Sequence, residues 1–219
     1  MRTRNRLVLA IVTAGVLSTL RPAPAHAGLA FFDSVTDSIE VSGQTVIGTT
    51  STYEAVVMFP SGTGANGSVF NEQTDALEDK LLTIGPAGVG TTNFPATGFS
   101  VVATLSPDVF HHVAYVYDGA EARVYVDGSL VGAQTSSGAV GNASGLAYIG
   151  LPFRTGACDI PSFVGYLDSL RISDVARYSG SSFAPPAGDL SSDVSTLLLY
   201  NFNGPPGSAT ATDSGPLGR

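Results

Sequence analysis

Read for a period of two, the chain divides into short apolar–polar alternations punctuated by turn residues. The segments are AFFDSVTDSIEVSG (30–43), STYEAVVMFPS (51–61), GSVFNEQ (67–73), KLLTIGPAG (80–88), FSVVATLS (99–106), FHHVAYVYDG (110–119), EARVYVDGSLVGAQ (121–134), GLAYIGLPF (145–153), SFVGYLDSLRIS (162–173) and STLLLYNFNG (195–204). They are rich in Val, Thr, Tyr and Phe, residues that pack well on a pleated, half-buried surface. Short strands with Gly, Pro and Ser turns at this spacing predict an all-β, antiparallel sandwich or barrel. Helix is scarce. One helical turn is expected at SDVARYSG (173–180), with Ser173 as cap and Gly180 as stop. SSFAPPAGDLSSD (181–193) reads as a long surface crossing from one sheet to the other, and GPPGSATATDSGPLGR (204–219) as a closing strand or a frayed tail.

The first 27 residues follow a different pattern. Arg2, Arg4 and Arg6 precede the apolar run LVLAIVTAGVLSTL, and Ala25-His26-Ala27 places small residues where a signal peptidase reads. This is the three-part pattern of a secretory signal. The apolar run has fourteen residues, against the roughly 20 that a membrane span needs. The expected organisation is a signal peptide over 1–27 and a single domain over 28–219, exported to the extracellular space or the periplasm.

Cleavage removes four of the ten basic residues and none of the eighteen acidic ones. Lys80, Arg123, Arg154, Arg171, Arg177 and Arg219 remain and form no basic run. An acidic surface of this kind repels nucleic acid and anionic lipid and suits a cation, a neutral glycan or plain solubility. No further segment is apolar enough to span a membrane. The one cysteine, Cys158, rules out an internal disulfide and is read as a small half-buried hydrophobe. Asn66 and Asn142 begin glycosylation triplets, which matter only in a eukaryotic secretory route.

The densest polar stretch is FHHVAYVYDGAEARVYVDG (110–128). His111 and His112 are neighbours on a predicted strand, so they point to opposite faces and cannot share one metal ion. No third histidine survives in the mature chain, which argues against zinc. Asp127-Gly128 is the dipeptide a tight type I′ turn prefers, because both residues take positive φ. The stretch reads as architecture more than as a site.

Four strings in order, FHHVAYVYDGAEARVYVDGSLVG, LAYIG, FVGYLDSLRISDVAR and LLLYNFNG, resemble the laminin G-like members of the concanavalin A-like lectin/glucanase superfamily. FFDSVTDSIEV and YEAVVMFPS match its opening strands more loosely. The resemblance implies a two-sheet jelly roll, outside the cell, that binds and does not catalyse. Fold alone does not fix the ligand.

Catalysis finds no motif. The glucanase resemblance would require Glu-x-Asp-x-x-Glu, which the chain lacks, and there is no Gly-x-Ser-x-Gly elbow. Calcium favours oxygen ligands and an acidic site, and many relatives bind it. By the resemblance, two placements arise. One is the loop LPFRTGACDIP, but it offers only Asp159, with Arg154 opposing, and reads as absent unless NEQTDALEDK, with Asp75, Glu78 and Asp79, supplies its other half; the other is the seam of the first and last strands, with Asp33 and Asp213 as ligands. The same two loops are the candidates for ligand binding. Tyr53, Tyr148, Tyr166 and Tyr178 are candidate sugar platforms, although the chain has no Trp. The expected function is a secreted, non-catalytic recognition module for a glycan or an extracellular protein, with a structural calcium. The alternative is a self-assembling surface or coat protein, and the third reading a glycan-active enzyme.

Overall fold

In the computed structural model, the residues described are 28–33, 37–42, 49–64, 66–74, 79–92, 99–136, 143–151, 161–205 and 210–218. They form thirteen strands: β1 (Ala30–Phe32), β2 (Ile39–Ser42), β3 (Ser51–Met58), β4 (Gly67–Thr74), β5 (Asp79–Gly85), β6 (Gly88–Thr92), β7 (Phe99–Val102), β8 (His111–Tyr117), β9 (Glu121–Val126), β10 (Ser129–Thr135), β11 (Ala143–Ile149), β12 (Gly165–Ser173) and β13 (Thr196–Tyr200). Two antiparallel sheets result. Sheet A runs β1-β12-β3-β8-β9-β10, with β13 also on β12; sheet B runs β2-β11-β4-β5-β6-β7. This is the jelly-roll sandwich the alternation pattern and the family resemblance imply. The proposed signal, residues 1–27, lies outside the described residues.

Between the sheets lies one large apolar core. Tyr53, Val57, Val113, Tyr115, Val124, Leu170 and Ile172 of sheet A meet Val41, Phe70, Leu82, Ile84, Val89 and Ile149 of sheet B. A second, smaller cluster sits on the outer face of sheet A, where Ala114, Val116 and Tyr125 are covered by Ala176, Tyr178 and Phe183. β8 is therefore buried along its whole length, and its residues alternate between two hydrophobic environments.

The opening segment divides. β1 joins sheet A and β2 joins sheet B, so the segment contributes two strands rather than one. β6 was not evident from the sequence: GVGTT carries too few side chains for alternation to show. The segment 121–134 folds back on itself as β9 and β10, joined by Asp127 at φ 49° and Gly128 at φ 77°. These are the two positive values a type I′ turn needs.

Two expectations are corrected. Residues 173–180 do not form a helical turn; they run as irregular chain across sheet A. Ser173 ends β12, and its Oγ accepts from Arg177 Nε instead of capping. The backbone finds partners outside itself: Thr52 Oγ1 donates to Val175 O and accepts Arg177 N–H, and Asp174 N–H donates to Ser195 O. Once those groups are satisfied by tertiary contacts, nothing favours i to i−4 bonds. Residues 181–193 do not cross between sheets, because β12 and β13 pair with each other in sheet A. The whole of 174–195 is a strap over the outer face of that sheet. Its Ser181 O accepts Leu130 N–H, and its Phe183 N–H donates to Gly128 O.

The tail after β13 is neither strand nor frayed end over 210–218. Asp213 is 5% exposed, its Oδ1 accepts Leu199 N–H at 2.8 Å and Gly215 N–H at 2.7 Å, and Ser214 N–H donates to Leu199 O.

The two lateral sides of the sandwich differ. On one, β10 closes on β7: Gly132 has no side chain, and a Cβ there would lie 2.5 Å from Val101 Cγ2. On the other, residues of β1 and of the segment after β13 on the edge of sheet A share a groove with residues of β2 on the edge of sheet B.

Candidate functional site

The groove has a volume of about 970 Å³ and is lined by 28–32 before and within β1, 37–39 before and within β2, 201–205 after β13, and 210–212 with Ser214 of the tail. Its floor is continuous with the core, since Ile39, Phe202 and Ala211 pack against it. Its rim is polar, with Asp37, Ser38, Asn203, Thr210 and Thr212. Alternation in β1 sets the aromatic geometry. Phe32 points inward and is buried, whereas Phe31 points outward and is 50% exposed. Phe31 lies opposite Tyr166 in the β1–β12 register, and the rings stack at 4.4 Å and 21°. Phe202 stacks on Tyr200 at 5.8 Å and 15°. Asn203 Nδ2 donates to Asp189 Oδ2, which ties the rim to the strap.

The second polar constellation is closed. Glu54, at the middle of β3 on the outer face of sheet A, is 0% exposed. Its Oε1 accepts Arg171 Nε at 2.7 Å and a second Arg171 nitrogen at 2.6 Å; its Oε2 accepts His112 Nε2 at 2.9 Å and the Tyr178 hydroxyl at 2.7 Å. Burial is the largest influence on Glu54 and opposes ionisation. The His112 hydrogen bond, the Arg171 charge and the Tyr178 hydroxyl together outweigh it and hold the carboxyl below its ordinary value. Tyr178 is pushed well up, first by its own burial and then by Glu54. Tyr178 and Phe183 stack at 3.6 Å over this cluster. Beside it Arg177 makes a two-pronged pair with Asp193, at 2.8 and 2.7 Å, closing the strap on itself. The Glu54 carboxylate, with all four of its contacts made inside the protein and no exposure, holds structure and is not open to a substrate.

The histidines separate as expected. His112 faces the strap and His111 the other side, where Nδ1 lies 2.7 Å from Asp127 Oδ2 and Nε2 lies 3.0 Å from Ser106 O. Carboxylate and carbonyl both only accept, so the doubly protonated ring is the form that satisfies both contacts. The Asp127 hydrogen bond is the largest cause that raises the His111 pKa above its ordinary 6.5.

The sequence-derived candidates fall in different places. Asp75, Glu78, Arg154 and Asp159 lie outside the described residues, as do Cys158 and Asn142; Asp79 begins β5. Asp33 is exposed at the end of β1, and its N–H donates to Asp37 Oδ2 at 2.8 Å. Oδ1 of Asp213 is engaged by two amides, so that oxygen does not fit a calcium ligand. Among the described residues, no three His, Cys, Asp or Glu side chains are grouped to hold a metal ion. Tyr53 is buried in the core, Tyr178 belongs to the strap and is half-buried against sheet A, and Tyr166 is half-buried beneath Phe31. Asn66 stitches its loop to the turn before β6: Nδ2 donates to Gly88 O and Oδ1 accepts Ala87 N–H. The sequence reading singled out Asp33 and Asp213 at this seam but missed Phe31, Phe202 and Asn203. Their only signals were the doubled aromatic in AFF and the aromatic–amide alternation in YNFN.

Two antiparallel sheets, a strap fastened by a buried glutamate and an open lateral groove define a lectin-like β-sandwich. A family model described as the concanavalin A-like lectin/glucanases superfamily, of its laminin G type, matches residues 33–180. The chain belongs to this family, as the four motif strings imply. No curated protein matches by sequence. Similar solved structures include a native heptameric SAP-like pentraxin from Limulus polyphemus (17% identity, 68% of this chain and 76% of that one, TM-score 0.53). Domains LG4-5 of the mouse laminin alpha1 chain align at 16% identity over 73% of this chain and 46% of that one, TM-score 0.53. A candidate carbohydrate-binding protein from Bacteroides ovatus ATCC 8483 aligns at 17% identity over 80% and 55%, TM-score 0.52. The chain spans about half the length of the latter two. At these identities the likeness shows the fold alone. Among the described residues, no helix is long and apolar enough to cross a membrane.

Proposed function

We propose that this chain is a secreted, non-catalytic recognition module for a glycan or an extracellular protein. One observation carries the reading: among the described residues lining the open groove, aromatic, amide and hydroxyl groups accompany a single carboxylate, Asp37. Glu54 and Glu72, by contrast, are sealed at 0% and 1% exposure. Glycoside hydrolysis needs two carboxylates flanking the scissile bond. A surface with one is suited to holding a sugar or peptide, not to cleaving it. Relatives whose names speak of carbohydrate binding and of laminin domains support the same reading. A glycan array with the exported chain tests it. Selective retention of one glycan class, with no product released from β-glucans, is expected; turnover on any glucan overturns it.

A structural calcium is a separate element of the proposal. The carboxylates proposed to hold the ion are Asp33 and Asp213, although Oδ1 of Asp213 already accepts two amides. Thermal melts in calcium and in EDTA decide it. A midpoint raised by calcium is expected by mass action, and an unchanged midpoint removes the ion from the proposal.

The alternative, a self-assembling surface or coat protein, draws on Leu29 and Phe31, which are exposed at the β1 edge. Concentration-dependent light scattering without glycan binding would favour it.

A further inference from the structure

We infer that the lateral groove between the β1/β13 and β2 edges is the ligand site and that it takes a neutral oligosaccharide. The inference rests on the recognition reading above and deepens it.

Three observations on separate elements converge. Phe31 stands half exposed on a strand, held flat by stacking on Tyr166 at 4.4 Å and 21°. Two parallel rings make a rigid apolar platform, the shape that the C–H face of a pyranose matches, and rigid rings lose little conformational entropy on binding. Phe202, at the groove floor, has φ 51°. A bulky residue there is a true outlier, and strain of this kind persists where surrounding structure enforces it, commonly at ligand sites. Among the described residues, the other two non-glycine residues at positive φ are Asp108 and Asp127, a residue type that tolerates the conformation. The rim supplies hydroxyl and amide groups from Ser38, Asn203, Thr210 and Thr212, and among the described lining residues there is no Lys or Arg. Hydroxyl-rich ligands suit such a rim. A sialylated, sulfated or phosphorylated sugar would bring anionic charge beside Asp37 with no cation among the lining residues to pair it.

The groove's volume of about 970 Å³ lies within the roughly 300–1,000 Å³ range of small-ligand sites. A peptide added as an extra strand is less well served. β1 has three residues and β2 four, so either edge offers few backbone hydrogen bonds.

The test is isothermal titration of the full chain with gluco-, galacto- and manno-oligosaccharides of several units, and with sialylated and sulfated counterparts. Phe31→Ala and Thr212→Val alter the groove; Tyr178→Phe on the strap is the control, and melting curves confirm that each variant is folded. The wild type is expected to bind a neutral series. Phe31→Ala should weaken binding about tenfold, the loss of one aromatic contact. Thr212→Val should weaken it severalfold, and the control should leave it unchanged. If the wild type binds neutral sugars and folded groove variants bind them equally well, the site is wrong while the recognition reading stands. Preference for the acidic sugars overturns the ligand class. Absence of glycan binding overturns the inference, and self-association abolished by Phe31→Ala then assigns the groove to a second copy of the chain.

Discussion

Glu54→Ala is expected to destabilise the fold by about 3–5 kcal/mol, the range for removing one partner of a buried ion pair. The reason lies in what remains. Glu54 accepts four hydrogen bonds, two from Arg171 and one each from His112 and Tyr178. Arg171 is 6% exposed, and without the carboxylate its remaining described hydrogen bond is to Ser191 O. A guanidinium kept from water without a counter-charge is far costlier than a missing neutral contact. The strap should suffer first, because Tyr178 and Arg171 tie it to sheet A through this one carboxylate. Urea denaturation with limited proteolysis reads both effects, with cleavage within 176–190 preceding global unfolding. Glu54→Leu combined with Arg171→Leu should recover much of the loss, since hydrophobic replacement of a whole buried pair is often close to neutral. A loss under about 1 kcal/mol in Glu54→Ala would show that the cluster contributes little and that apolar packing alone holds the strap.

The second large effect is expected in stability against pH, with losses on both flanks of a plateau. On the basic side the responsible group is His111, whose folded pKa lies above 6.5 chiefly through its hydrogen bond with Asp127. A raised folded pKa means that the stabilisation is fully present below about 6.5 and is lost as pH rises through the folded value. On the acidic side, Glu54 and Asp127 are lowered in the native state despite burial, by His112, Arg171 and Tyr178 in the first case and by His111 and the His112 amide in the second. Asp193 is held far below its ordinary value by Arg177, and Asp118 is lowered by the amides of Ala120 and Glu121. Their contribution is present above about pH 4.5 and is lost as pH falls through the depressed values. Melting midpoints from pH 2 to 10 in His111→Gln should flatten the basic flank and lose only the Asp127 share of the acidic one, while the shares of Glu54, Asp193 and Asp118 remain. A basic flank unchanged in that variant would mean that another group titrates there.

The pattern of alternation and turns was enough to foresee most strands, because a half-buried strand needs side chains of opposite character on its two faces. Asp127-Gly128 was legible for a local reason: only a few residue types tolerate two successive positive φ values. The opposite orientation of His111 and His112 followed from the pleat alone. Where the sequence misled, the missing information was tertiary. SDVARYSG has the local chemistry of a capped turn, but its backbone groups are claimed by Thr52 and Ser195 from distant parts of the chain. The segment 181–193 looked like a crossing because its polar, proline-rich composition does not reveal that Phe183 and Tyr178 cover sheet A.

The site was still less legible. Phe31, Tyr166, Phe202 and Thr212 are scattered over more than 180 positions and belong to no motif; only the junction of β1, β12 and β13 brings them together. Glu54 and Arg171 lie 117 residues apart, and neither carries a local signal that it will be buried. By itself the sequence determined the strand periodicity, the tight turn, the acidic balance and the family, because each rests on neighbours along the chain or on composition. The tertiary structure alone decided which lateral side of the sandwich stays open, which carboxylates are sealed and which rings face solvent. Those outcomes depend on how two sheets close over one another, and closure is set by contacts between residues that the chain order keeps far apart.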